Sequence, residues 1–233
     1  MKLHKTLIAG MIAIACTTLV TAPTVFAKGN ANAGSNRVVS YQGLGVAEGE
    51  ALLFMREEEK LARDVYITLY QQWKLPAFNN ISASEQQHTD RIKQLIQTYG
   101  LVDPVVNDAV GAFANGQLAS LYAQLLAKGR ISALDALQAG ALIEETDIAD
   151  LQKAIAGTTR PDIAAVYENL MKGSRNHLRA FVGLIENQGI AYTAQALPQA
   201  EVDAIVNSPR ERGNANGGGR GQGGGAGMGR GWR

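Results

Sequence analysis

The sequence predicts an all-α domain, a four-helix bundle with one long crossover connection and extra short helices. Three observations carry this. Four long stretches repeat apolar residues at alternating steps of three and four, and strand-type alternation is scarce throughout. A long segment with its own turn signals also separates the second stretch from the third.

Ahead of the bundle, Lys2 and Lys5 form a short basic start and Leu7 to Ile14 an apolar run interrupted by Gly10; Val25-Phe26-Ala27 supplies a small-residue cleavage pattern. This is the layout of a signal peptide over residues 1–27, with processing between Ala27 and Lys28 and export to the periplasm or the exterior. The apolar run is well short of the ~20 residues of a spanning helix, and no later segment is long and apolar enough, so no membrane span is expected. The sole cysteine, Cys16, lies in this segment. A lipidated cysteine is the competing reading, but Ala13 stands where lipoprotein signals usually carry leucine. Once the signal is removed the chain has no cysteine, and an exported domain without disulfides must fold on its hydrophobic core. Residues 28–44 are polar and glycine-containing and read as a linker.

The first helix begins near Val46, carries Leu52, Met55, Glu59, Ala62, Tyr66 and Leu69 on one face, and ends near Trp73, before Pro76. The second spans about Ser82 to Tyr99 and stops at Gly100, with Ile81, Glu85, His88, Ile92 and Leu95 facing inward. The connection that follows has turn signals at Asp103-Pro104 and Asn115-Gly116 and a short helix from Leu118 to Lys128. A third long helix opens at Ser132 and ends before Gly157, its face holding Leu137, Ala141, Glu144, Ile148, Leu151 and Ile155. Pro161 suits the first turn of the fourth helix, which runs to Gln188 with Ile163, Leu170, Ser174, His177, Phe181 and Leu184 inward. A short helix over Gln199 to Asn207 closes a domain of residues 45–207.

Residues 208–233 form a Gly/Arg-rich tail, and the last 21 of them cannot bury enough apolar surface to fold, so disorder is expected there. The near-neutral total charge averages unlike regions. Residues 28–211 carry 16 Lys/Arg against 21 Asp/Glu, whereas residues 212–233 carry four arginines and no acid. Neither part has the strongly basic character of a specific nucleic-acid-binding domain. The tail reads as solubilising, or as a weak arginine-glycine contact with polyanions.

Each long helix interrupts its apolar face with polar residues at one level: Glu59, then Glu85 and His88, then Glu144, then Ser174 and His177. Residues three apart lie one turn apart on the same side of a helix, so Glu85 and His88 aim at one place. Buried unpaired, such groups cost several kcal/mol each, and a cation shared among them offsets this. Mixed oxygen and nitrogen ligands suit iron or manganese, as one or two ions. The metal ligands expected are therefore Glu59, Glu85, His88, Glu144 and His177. Rival readings accompany them. Glu57-Glu58-Glu59 reads as a solvated acidic run from which one residue turns inward, Glu58 competing with Glu59. Ser82-Ala83-Ser84-Glu85 matches a capping box. Glu145 competes with Glu144, and either histidine alone could be a core residue bonded to backbone carbonyls.

The stretch Glu59-Lys60-Leu61-Ala62-Arg63-Asp64-Val65-Tyr66 resembles the first-helix motif of rubrerythrin-type ferritin-like proteins, and Glu85-Gln86-Gln87-His88 resembles their second-helix Glu-x-x-His. With Glu144-Glu145-Thr146-Asp147-Ile148 and Gly173-Ser174-Arg175-Asn176-His177-Leu178-Arg179-Ala180-Phe181, the wider pattern is similar to the DUF2202 family from about Gly45 to Leu197. The resemblance implies a ferritin-like four-helix bundle in which two helices give single glutamates and two give Glu-x-x-His. It also implies peroxide reduction, ferrous oxidation or metal handling. Without cysteine there is no rubredoxin-type iron centre, so an external electron donor is expected; homo-oligomerisation is compatible with the fold. One departure matters: a full shell would place glutamate at position 174, where this chain has Ser174. Water or Glu145 would fill the gap, or one metal position is weak. The alternative from another class is a non-catalytic helical binding or structural module with a degenerate metal site. Arg63, Asn176 and Arg179 are candidate partners of the ligands, and Tyr66 reads as core packing.

Overall fold

The computed structural model describes residues 43–212; the expected signal peptide, nearly all of the expected linker and the last 21 residues lie outside the described residues. The described chain is all-helical in its regular elements: α1 (Val46–Trp73), α2 (Pro76–Thr98), α3 (Gly116–Gly129), α4 (Ala133–Gly157), α5 (Pro161–Glu186) and α6 (Gln199–Val206). Among them no helix is long and apolar enough to cross a membrane. The helices α1 and α2 form one hairpin and α4 and α5 another. The hairpins pack α1 on α4 and α2 on α5, while α3 lies on α1 and α4, and α6 on α5. This is a four-helix bundle with one long crossover, from α2 to α4.

Local chemistry sets the ends. At the start of α1 the Gly45 N–H donates to Glu48 Oε2 at 3.0 Å. The helix closes at Lys74, whose left-handed backbone (φ 54°) returns its N–H to the Tyr70 carbonyl. Pro76 then occupies the first turn of α2, so that helix begins at Pro76 and not at Ser82. Ser82 is therefore a mid-helix residue whose hydroxyl donates to the Asn79 carbonyl, and the capping-box reading of Glu85 falls. Asn115 caps α3 and Ser132 caps α4 through side-chain oxygens.

The bundle interior has two apolar clusters. One contains Leu61, Val65, Tyr66, Phe78, Leu137, Ala141 and Phe181; the other contains Leu52, Met55, Ile92, Leu151, Ile163 and Leu170. On α1, α2 and α5 the residues that separate the two clusters are polar and buried, including Glu59, Glu85, His88, Ser174 and His177.

A second polar system, on the outer side of α1, holds the crossover. Lys60 is wholly buried, with Nζ 2.5 Å from Asp64 Oδ2 and 2.9 Å from the Ala109 carbonyl. Asp64 also accepts from Arg63 Nε and from the Gly111 N–H, each at 2.9 Å. Arg63 reaches Asp108 at 2.7 Å and Arg56 reaches Asp103 at 3.2 Å. Glu57 accepts the N–H groups of Ala114 and Asn115. The charges on α1 thus satisfy backbone groups of a loop that has no ladder of its own.

The chain beyond α6 is held as well. Glu211 pairs with Arg175 at 2.5 Å and with Arg179 at 3.0 Å, and its N–H donates to Asn176. These contacts carry the docked chain past position 207.

Candidate metal centre

Glu59 on α1, Glu85 and His88 on α2, Glu144 on α4 and His177 on α5 come together in the polar layer, all of them buried. Glu85 is the hub. Its Oε2 lies 2.8 Å from His88 Nδ1 and its Oε1 lies 2.7 Å from His177 Nδ1. Glu59 Oε2 stands 3.2 Å from His88 Nδ1, and Glu144 Oε2 stands 3.4 Å from His177 Nδ1. Two triads result, Glu59/Glu85/His88 and Glu85/Glu144/His177, each with its ligand atoms within 4.8 Å of one another and Glu85 in both.

Glu85 Oε1, Glu59 Oε1 and His177 Nδ1 have no hydrogen-bond partner although they are buried. For Glu85 and His177 this holds despite the 2.7 Å approach, so the atoms are close without hydrogen-bond alignment. Orphaned oxygen and nitrogen atoms crowded together are costly unless a cation is shared among them. The mixed carboxylate/imidazole set fits iron or manganese.

The surroundings orient these ligands. The second ring nitrogen of His177, Nε2, is 3.0 Å from Ser84 Oγ, the kind of outer contact that fixes a ligating imidazole. The two imidazoles face each other, with centroids 5.6 Å apart. Gly173 makes room for one of them: a Cβ there would stand 2.5 Å from His88 Nε2. Tyr66 is buried in the core as expected and also donates its hydroxyl to Glu144 Oε1 at 2.5 Å.

Protons stand in for positive charge at this centre. Burial disfavours a charged His88, but Glu85 and Glu59 outweigh it and hold the ring well above its ordinary value. His177 is pushed up to about 10, because Glu85 and Glu144 overcome the same penalty. Burial raises Glu85, yet the two imidazoles outweigh burial and hold its carboxyl well below the usual range. Glu59 goes the other way, to about 7, since burial dominates over its attraction to His88.

Several expectations are corrected. The acidic run is not a solvated face: Glu57, Glu58 and Glu59 are all buried, Glu57 holding the crossover and Glu58 facing Asp150. Glu145 is buried too but points away from the triads, accepting from the Tyr192 hydroxyl and the N–H groups of Gln195, Ala196 and Leu197. It therefore does not fill the gap at Ser174. Arg63 serves the crossover, while Arg179 and Asn176 serve the segment around Glu211, so none supports the ligands. The residue overlooked is Asp147, whose carboxylate takes the Ser174 hydroxyl. Its place one helical turn after Glu144 does not by itself distinguish it from a solvated carboxylate.

Comparison with known proteins agrees with this architecture. Residues 48–209 match the family described as "Uncharacterized protein domain (DUF2202)". The chain is 53% identical over 172 residues to the protein MJ0754 of Methanocaldococcus jannaschii, covering 74% of this chain and 93% of that one. The crystal structure titled as hypothetical protein MJ0754 from Methanococcus jannaschii superposes with a TM-score of 0.71 at 51% identity, over 74% of this chain and 99% of that chain.

Proposed function

We propose, from the premise that this chain belongs to the DUF2202 family, that it is an exported ferritin-like protein that binds iron or manganese through Glu59, Glu85, His88, Glu144 and His177. The observation that carries the reading is the position of Glu85, one oxygen beside each imidazole and one triad on either side. When bound, iron or manganese would supply redox chemistry, as an oxidase or peroxidase or in metal handling. The chain's own part is to hold the ligands in a water-poor layer, with Ser84 orienting His177 and Tyr66 orienting Glu144. Export rests on the signal-peptide pattern alone.

The test is unfolding of the protein with added Mn(II) or Fe(II) and with chelator. A ligand that binds only the folded state should raise stability by roughly 3–4 kcal/mol at 100 to 1,000 times its dissociation constant. His88→Ala and His177→Ala should each remove most of that gain, and the double variant little more than either, since neighbours sharing a site are not additive. A wild-type curve indifferent to both metals sinks the reading.

Binding should also depend on pH. The metal-free imidazoles hold protons because their folded values are raised, and an ion must displace those protons. Affinity for Mn(II) therefore rises with pH across the neutral range. Release of one to two protons corresponds to about tenfold to a hundredfold per pH unit. Titration calorimetry in buffers of different ionisation enthalpy counts the protons; a pH-independent affinity contradicts the assignment.

A further inference from the structure

Asp147 lies in the bundle interior, 5% exposed, one turn after Glu144 on α4. Its Oδ2 takes the hydroxyl of Ser174, while its Oδ1 has no partner at all. Burial above all, then the charges of Glu59, Glu58 and Glu144, push its carboxyl well above the usual range. An orphaned, buried carboxylate oxygen within the electrostatic reach of members of both triads calls for a counter-charge.

Ser174 stands to His177 as Glu85 stands to His88, three residues earlier on the same helix face. A two-ion bundle site takes a carboxylate from each of these positions. On α5 that position has a hydroxyl, and the hydroxyl touches a carboxylate that comes from α4. Charge points the same way. Glu59, Glu85 and Glu144 with two neutral imidazoles leave two divalent ions with one uncompensated positive charge in a buried layer; a fourth carboxylate makes the assembly neutral. Glu58 faces Asp150 and Lys153 instead and drops out of this count.

We infer that Asp147 is the fourth carboxylate of the metal centre, positioned there by Ser174. The shell is thus complete, with one carboxylate moved from α5 to α4, and it is not degenerate. The inference rests on the metal-binding reading above and assigns it two ions per chain.

The decisive experiment is the Mn(II) stoichiometry and affinity of the purified protein by equilibrium dialysis, for wild type, Asp147→Asn, Ser174→Ala and Asp147→Ala/Ser174→Glu. Wild type should bind two ions. Ser174→Ala should weaken the second by about 10–100-fold, the usual cost of losing an outer partner. Asp147→Asn should weaken it by more than that, leaving one measurable ion. The double variant returns a carboxylate to α5 and should recover the second ion; it also decides the matter if Asp147→Asn does not fold. Two ions at wild-type affinity in Asp147→Asn, or a double variant still limited to one, overturns the assignment while leaving the metal reading intact. Wild type binding one ion overturns the assignment as well. Wild type binding none removes the metal reading and this inference together.

Discussion

Asp64→Asn should lower the unfolding free energy of the metal-free protein by roughly 3–5 kcal/mol, the usual cost of removing one partner of a buried ion pair. Asp64 and Lys60 are both wholly buried, and among the described residues Asp64 is the one carboxylate paired with the Lys60 ammonium. Asparagine keeps the shape but removes the charge. The ammonium is then left with the Ala109 carbonyl and the face of the Phe113 ring, 4.6 Å from its centroid. Asp64 also anchors Gly111, whose φ of 82° places it in a tight turn against Tyr122. The crossover should therefore loosen first, and amide exchange over residues 104–115 should accelerate more than exchange in α5. Urea unfolding gives the magnitude; a loss below about 1 kcal/mol, the range of an exposed pair, would mean that the pair is effectively solvated.

Glu85→Gln should abolish the entire metal-dependent stabilisation, roughly 3–4 kcal/mol under saturating Mn(II), because Glu85 belongs to both triads. Glu144→Gln touches one triad and should leave part of the gain. Without metal, Glu85→Gln also removes the carboxylate nearest to each imidazole, at 2.8 and 2.7 Å. The raised values of His88 and His177 should then fall, and the stability their protons supply, complete below the ordinary value of 6.5 and lost only as pH rises through the folded values, should shrink. Proton NMR titration of the two rings follows the first effect and thermal unfolding the second. Retention of the wild-type Mn(II) gain in Glu85→Gln would remove Glu85 from the centre.

How far the sequence reaches is clearest at individual residues. The helix starts at Val46 and Pro161 and the stops near Trp73 and Gly157 follow from turn chemistry a few residues long, and the structure has them there. The start of α2 was misplaced because Ser82 offers a good cap, while Pro76 offers an earlier start; cap chemistry alone does not rank the two. Glu59, Glu85, His88, Glu144 and His177 stand out because each interrupts an apolar stripe of its own helix. That is a one-dimensional pattern, visible without knowing which helix packs on which.

Asp147, Lys60 and Asp64 leave no such mark. A charged residue beside an apolar stripe is usually solvated, and its burial depends on what another part of the chain lays over it. For Lys60 and Asp64 the cover is the crossover loop, 49 and 47 residues later respectively, with its backbone groups seeking partners. For Asp147 it is Ser174 on α5, the other helix of the same hairpin. Periodicity, caps and ligand spacing are properties of adjacent turns, so the sequence by itself determined the helices, the polar layer and six of its members, Ser174 among them. Which carboxylates share that layer, and which charges are sealed beneath the crossover, depends on contacts between residues far apart in the chain, and only the packed tertiary structure decided those.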